Sequence, residues 1–282
     1  MQWNILADAL SYSTPTKNFV KCTPNILKWP DRQQRILHDA LLYSPDLLCL
    51  QEVDHFEDYF APQLEMRGYV GSFAPKPNSV CLRVPGHNSP DGCALFVKSN
   101  NFEINKIKKI ILKDGKGVIS NQVALLAIVT RRRCNSRLLV AVTHLKAKEG
   151  NEKLRLEQGR DLLSQIKQMK SAEGNDAVPL VVCGDFNASA GEPVYQEMEE
   201  IGLLSSAYKS STNSEAPYTT WKFRPKEEVC HTIDYVWHSS ELVPRHFLAI
   251  PSKDVIGAAA LPSVEFPSDH LPLLFDFEIL GK

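Results

Sequence analysis

The chain has 282 residues, with 32 Lys and Arg against 33 Asp and Glu for a formal net charge of -1. It therefore offers no global basic surface for tracking long nucleic acid, and any grip on phosphate has to come from a local cluster. Its seven cysteines, at 22, 49, 81, 93, 134, 183 and 230, are odd in number and scattered without a Cys-x-x-Cys pair, which argues against a disulfide framework or a cysteine zinc site and reads as a reduced, intracellular protein.

A chain of this length folding as one domain buries roughly three quarters of its unfolded surface and needs no covalent staples. No apolar run approaches the roughly 18 residues of a membrane span, and no signal peptide opens the chain. The strand-like Gln2-Trp3-Asn4-Ile5-Leu6 follows Met1 at once, which reads as a trimmed domain boundary from which a targeting segment has been removed. Between Pro30 and Ser44, Ile36, Leu37, Ala40 and Leu41 recur at helical spacing, and Pro45 closes the helix. Asp46-Leu47-Leu48-Cys49-Leu50 then reads as a buried strand, and a second helix is expected over 54 to 66.

Strands follow at 92 to 98, 102 to 112, 122 to 130 and 137 to 144. The last two flank Arg131-Arg132-Arg133-Cys134-Asn135-Ser136, expected as a hairpin tip with solvated charges. A third helix over 152 to 169 carries the apolar stripe Leu162, Leu163 and Ile166; the strand 179 to 183 comes next, and strands near 232 to 237 and 271 to 278 complete the set. Loops rich in Pro, Asn and Ser at 75 to 90 and 209 to 217 are the irregular parts. Many strands, few helices and no Gly/Ser linker predict one domain over 1–282, built as two packed sheets with helices on the outer faces.

Six strand-like segments carry residues suited to metal or phosphate at their polar ends. They hold Asn4; Gln51-Glu52; Thr143-His144-Leu145-Lys146; Asp185 and Asn187 in Gly184-Asp185-Phe186-Asn187; Asp234 in His231-Thr232-Ile233-Asp234-Tyr235; and Ser268-Asp269-His270. Singly, each has an ordinary explanation: Glu52 could complement a helix dipole, Asp269 could cap a turn, and a lone His144 or His270 could be a hydrogen-bonded scaffold residue. Together they point to phosphate chemistry, because few structural needs place so many charges beside apolar runs, and loops at strand ends carry function.

The order Asn, Leu-Gln-Glu, Gly-Asp-Phe-Asn, Ile-Asp-Tyr, Ser-Asp-His resembles the exonuclease-endonuclease-phosphatase superfamily over residues 2 to 278. Trp3-Asn4-Ile5-Leu6-Ala7, Cys49-Leu50-Gln51-Glu52-Val53-Asp54, Phe73-Ala74-Pro75-Lys76-Pro77 and Pro90-Asp91-Gly92-Cys93-Ala94 resemble its Ccr4-type deadenylase branch. The resemblance implies a four-layered α/β sandwich of two packed mixed β-sheets flanked by helices, and hydrolysis of a phosphate ester with Mg²⁺ or, in its place, Mn²⁺. Mg²⁺ prefers hard oxygen ligands and keeps several waters, so one or two carboxylates suffice. Glu52 is then the direct metal ligand, with Asn4 and Asp269 beside it. Asp185 orients and deprotonates the attacking water, and Asn187 donates to a phosphate oxygen. His270, fixed and charged by Asp234, steadies the phosphate, while His144 is a second phosphate or leaving-group contact.

By the same likeness Lys76, Lys146 and Arg224 contact a nucleotide substrate, and Asp91 is placed with them. Lys148 stands where relatives are expected to carry Arg, so a point charge replaces a bidentate fork there. Lys222 and Lys226 complete a basic set read as lying in loops. Two segments, Thr143-His144-Leu145-Lys146-Ala147 and Ala216-Pro217-Tyr218-Thr219-Thr220-Trp221-Lys222, resemble those members of the branch that remove the 2′-phosphate of NADP⁺ and NADPH, giving NAD⁺ and NADH. The wider branch implies instead the shortening of poly(A) from an RNA 3′ end. An exonuclease gains from a basic groove tracking several phosphates, so the compact basic set suits a dinucleotide. A phosphoinositide phosphatase would favour an exposed basic or amphipathic surface, absent here apart from the Arg131 to Arg133 tip, and the complete catalytic set argues against a non-catalytic binding module. The expected protein is a monomeric hydrolase of the cytoplasm or mitochondrion without membrane insertion.

Overall fold

A β-strand turns successive side chains to opposite faces, and the central strands of this chain bury both. In the computed structural model, which describes residues 1–14, 17–172, 174, 178–200 and 202–280, these strands form two main sheets. The first runs Gln2–Asn4, Leu47–Gln51, Gly92–Lys98, Tyr69–Pro75 in spatial order. The second runs Ser205–Ser206, Asp234–His238, Leu180–Asp185, Ser136–His144, Ile119–Arg131, Phe102–Lys113. Each sheet is mixed: Gln2–Asn4 lies parallel to Leu47–Gln51, and Ser136–His144 parallel to Leu180–Asp185, among antiparallel neighbours.

Alternation sorts the side chains into layers. Cys93, Leu95 and Val97 of the first sheet share one buried cluster with Val123, Leu125, Val140, Val142, Val181 and Cys183 of the second, so the two sheets pack face to face. The intervening Leu48, Leu50, Ala94 and Phe96 point the other way and pack against Ile36, Leu37 and Ala40 of the helix Trp29–Leu41. On the far side, Leu126, Ile128, Leu139, Ala141 and Val182 pack against Leu162, Ile166 and Met169 of the helix Glu152–Ala172 and Met198 of Pro193–Glu200. The fold is a four-layered α/β sandwich, as the family likeness implied. Each fully buried Leu or Val contributes about 1.5–3 kcal/mol by leaving water, so a one-residue slip of any central strand, which would exchange the two faces, is strongly disfavoured.

The boundaries correct several expectations. The helix expected over 54 to 66 is a wide π-type turn, Phe56–Phe60, passing into Ala61–Glu65. The edge strand Tyr69–Pro75 was not anticipated, since its residues do not alternate strictly between core and solvent. The expected loop at 209 to 217 begins inside a helix, Ala207–Thr212, capped by Ser206, whose Oγ accepts from the Lys209 N–H. The strand read near 232 to 237 divides into Glu228–His231, which forms a hairpin with Thr220–Phe223, and Asp234–His238. The last strand starts at Phe275, because Leu273 is used in an isolated bridge to Gln2. The Arg131 to Asn135 tip is exposed as expected, with Arg132 paired to Glu103. Among the described residues no helix is long and apolar enough to cross a membrane, and no disulfide forms.

Candidate active site

Strand register builds the site. Asp185 ends the Leu180–Asp185 strand, and its partners across the two neighbouring strands are His144 on one side and Asp234 on the other. Neighbouring strands lie about 4.8 Å apart, so three ionisable groups meet at one edge of the second sheet. Gly184 permits the approach: a Cβ there would stand 2.5 Å from the Thr143 carbonyl oxygen.

The first sheet supplies the opposite wall. Asn4 Nδ2 donates to Asp185 Oδ2 and to Glu52 Oε1, both at 3.0 Å, and so links a carboxylate from each sheet. Glu52 Oε2 also accepts from the Ala7 N–H at 3.2 Å. The chain turns sharply just past the strand Leu47–Gln51: Glu52 has φ 56°, and Asn187, two residues past Asp185, has φ 50°. Left-handed backbone costs a glutamate of order 1 kcal/mol or more and persists where the surroundings over-determine it; asparagine tolerates it more readily.

Asp185 is 1% exposed, and its Oδ1 accepts from the Asn187 N–H at 2.9 Å. Burial first, and Asp234 second, raise its carboxyl to about 7 against the pull of His270, the range in which a general base works best at neutral pH. His270 stands between two carboxylates, Nδ1 at 2.8 Å from Asp234 Oδ2 and Nε2 at 3.9 Å from Asp185 Oδ2. Burial opposes charge on the ring, but Asp234 and Asp269 prevail and raise it to about 9. Asp234 is fixed in turn by Thr219 Oγ1 at 2.6 Å and Gln2 Nε2 at 3.2 Å.

His144 is the opposite case. Burial, then Lys76 and His270, hold its pKa well below the usual value, so the ring is neutral. Lys76 Nζ lies 3.5 Å from Nδ1 and has only hydrogens to offer, which places the ring proton on Nε2, 3.6 Å from Asp185 Oδ2. Asp185 thus faces one charged and one neutral imidazole. Asp185, Asp234 and His270 could bring three ligand atoms to an ion, but Nδ1 of His270 is committed to Asp234. The hard-oxygen group is Glu52, joined to Asp185 through Asn4, and a donor set of this chemistry fits Mg²⁺.

Residues 1–270 match the model of the Endonuclease/Exonuclease/phosphatase family. The chain belongs to that family. Endonuclease/exonuclease/phosphatase proteins hydrolyse phosphate esters, in keeping with a buried carboxylate of raised pKa, a charged histidine and a hard-oxygen group at one sheet edge. This chain is 45% identical to nocturnin of Xenopus laevis over 98% of its own length and 71% of the relative's, and 45% identical to nocturnin of Homo sapiens over 98% and 64%. It therefore spans less than two thirds of the human protein. The Ccr4 exoribonuclease subunit of Yarrowia lipolytica is 26% identical over 89% of this chain and 44% of the relative. Among solved structures, the human nocturnin catalytic domain with bound sulfate superposes with a TM-score of 0.82 at 41% identity, covering 99% of this chain and 92% of that one. ANGEL2, described as a 2′,3′-cyclic phosphatase, shares the fold at a TM-score of 0.82 and 23% identity, covering 98% and 94%.

Within this family member, Asn4, Glu52, His144, Asp185, Asp234 and His270 are brought together at one edge. Others take different places. Asp91, expected among the substrate contacts, is buried: its Oδ2 accepts from Lys76 Nζ at 2.6 Å and its Oδ1 from Ser79 Oγ at 2.5 Å, so it positions Lys76. Asp269, expected beside the metal ligand, instead accepts from Lys222 Nζ, with Arg224 Nη2 3.7 Å away. Burial alone would raise its carboxyl, but Lys222, His270 and Arg224 hold it below the ordinary range. Lys222 is correspondingly no loop residue; it lies buried in the strand Thr220–Phe223. One amide hydrogen of Asn187 goes to the Leu145 carbonyl at 3.1 Å, leaving the other for a ligand. Arg224 stacks over Phe19, Lys146 is half-buried, and Lys148 and Lys226 are exposed.

The residues sequence reasoning missed are mostly second partners. Gln2 and Thr219 hold Asp234, and Ser79 holds Asp91. Arg155 is 1% exposed; its Nη1 donates to the carbonyls of Lys146 at 3.0 Å and Lys148 at 2.9 Å, while Nε and Nη2 grip Glu192. A signal existed, since Arg155 lies seven residues before Leu162 and so on the buried face of the same helix.

Proposed function

We propose that this chain is a Mg²⁺-dependent phosphatase, Mn²⁺ serving in its place, that removes the 2′-phosphate of NADP⁺ and NADPH to give NAD⁺ and NADH. The observation that carries the reading is Asp185, a buried carboxylate raised to about 7 between a charged and a neutral imidazole and tied through Asn4 to Glu52. Glu52 holds the ion, and when bound the ion supplies Lewis acidity toward the phosphate oxygens. Asp185 takes a proton from water as its oxygen attacks phosphorus and the bond to the 2′-oxygen breaks, the departing oxygen taking up a proton from solvent to become the 2′-hydroxyl. His270 Nε2–H and the remaining Asn187 amide hydrogen meet the charge developing on the phosphoryl oxygens, and His144 is the contact for the departing oxygen. Enhancements up to ~10²¹ are known for monoester hydrolysis, whereas one general base supplies about 10²–10⁴, so the groups have to act jointly. Because both sheets supply carboxylates to one site, residues 1–282 act as one catalytic domain.

The cations favour a small substrate. Lys76 is partly neutralised by Asp91, and Lys222 and Arg224 by Asp269. The positive charge left is compact, at Lys76, His270 and the braced Lys146–Lys148 loop, where one or two phosphates fit better than a long backbone. The higher identity to nocturnin than to Ccr4 supports the same choice. Poly(A) shortening is the second reading, motivated by the match to Ccr4 subunits along most of the chain. Supplied with Mg²⁺ and either NADPH or oligo(A), the protein is expected to release inorganic phosphate from NADPH. Oligo(A) shortening without phosphate release from NADPH would select the second reading.

A further inference from the structure

Outside the catalytic cluster, three side chains have the spacing of a metal site. Asp8 Oδ2 lies 3.5 Å from His55 Nε2 and 3.6 Å from His87 Nδ1, and all three ligand atoms lie within 4.8 Å of one another. A tetrahedral ion with bonds of about 2.0–2.1 Å separates its ligands by about 3.3 Å, so the two spacings to Asp8 lie within a few tenths of an ångström of that value, while the two imidazole nitrogens, within 4.8 Å of each other, would draw together by up to about 1.5 Å.

The surroundings favour an ion over a plain ion pair. His55 Nε2 is buried and faces the Asp8 oxygen at 3.5 Å without a well-aligned hydrogen bond, a geometry that leaves its lone pair or proton poorly satisfied. Its other nitrogen, Nδ1, is 2.6 Å from Asp58 Oδ2, the carboxylate-to-imidazole contact that orients metal-bound histidines. Trp29 stacks on the ring at 4.1 Å with an interplanar angle of 10° and limits its rotation. Asp8 is held from behind by Asp54, whose oxygens accept from the N–H groups of Asp8 and Ala9 at 3.1 and 3.0 Å. Asp8, His55 and His87 are each half-buried, so an ion can reach them from solvent.

We propose that Asp8, His55 and His87 bind Zn²⁺, with the fourth position left to water. Two imidazoles and one carboxylate suit this borderline ion, whereas Mg²⁺ demands oxygen ligands and is reserved for the Glu52 side. The three ligands come from the segment after the first strand, the turn before Phe56 and the irregular stretch before Gly92. The ion therefore clamps the loop that leads into Asp91, the partner of Lys76, and its role is positional. Because the ligands are deprotonated on binding, affinity rises with pH.

Co²⁺ is the probe, added to the 282-residue chain in excess Mg²⁺ and followed by visible absorption. One equivalent per chain is expected to give the intense bands of low-coordinate Co²⁺, and one equivalent of Zn²⁺ to remove them. His87→Gln and Asp8→Asn are each expected to weaken Co²⁺ binding at least tenfold, with far-UV circular dichroism confirming the fold, while Glu52→Gln leaves it intact. Absence of the bands, unchanged binding in folded His87→Gln, or loss of binding in Glu52→Gln would each overturn the assignment.

Discussion

A carboxylate pair separated in sequence by 133 positions, Glu52 and Asp185, is joined by one asparagine amide, and the charge state of each neighbour follows from what it touches. His270 is charged because Asp234 faces it; His144 is neutral because Lys76 and burial act on it together. Asp234→Asn removes the charge that holds His270 protonated while keeping the shape. The turnover number is expected to fall by about 10²–10⁴, as loss of positioned proton chemistry does, with KM changing far less, read by steady-state phosphate release. The residues that meet at this edge were legible because each stands at the polar end of an apolar run. The partners of Asp91 and Asp269, and the strand position of Lys222, were not legible because a charge in sequence does not disclose its partner. Asp91 meets Lys76, 15 positions away, and Asp269 meets Lys222, 47 positions away.

At the scale of elements, the polar ends of the strands are held by residues set back from the chemistry. Arg155 spends one nitrogen on the carbonyls of Lys146 and Lys148 and the others mainly on Glu192, so the helix Glu152–Ala172 fixes the loop that follows His144. Arg155→Met strands the Glu192 carboxylate and frees both carbonyls. Amide exchange over 146–151 is expected to quicken, and KM to rise more than the turnover number falls; equal exchange rates in the two proteins would contradict this role. The buried strands were legible since both faces are apolar. The edge strand Tyr69–Pro75 and the hairpin of Thr220–Phe223 with Glu228–His231 were not, because their pairing, rather than their pattern, makes them strands. Ala207–Thr212 escaped notice for a different reason: it is six residues long, and its Ser-rich composition reads as loop.

For the whole molecule, the near-zero net charge hides a division between a buried reactive edge and a solvated remainder. Burial also lowers His238 from 6.5, only partly offset by the Ser239 and Leu242 backbone, and His144 is lowered further. The unfolded chain takes up protons near pH 6.5 that the folded chain refuses, so the stability these groups contribute is full above about pH 6.5 and is lost as pH falls through their lower folded values. Asp185 and His270, whose folded values are raised, act in the opposite sense over this range, so the quantity to read is a difference: His238→Gln is expected to lose less melting temperature than wild type between about pH 7 and pH 5. The layered architecture could be anticipated from strand and helix order together with the family likeness, since apolar runs separated by amphipathic helices leave few other ways to bury both faces. The metal site at His55 and His87 could not, because its ligands share no motif spacing.

The proposed reaction requires Glu52 and Asp185 to act as one metal-assisted hydrolytic centre. Phosphate release from NADPH in Mg²⁺, compared between the wild-type chain and Glu52→Gln at matched circular dichroism, tests that directly. A loss of at least about 10³-fold is predicted, the several kcal/mol a catalytic metal contributes, whereas release from NADPH by Glu52→Gln at the wild-type rate would contradict it.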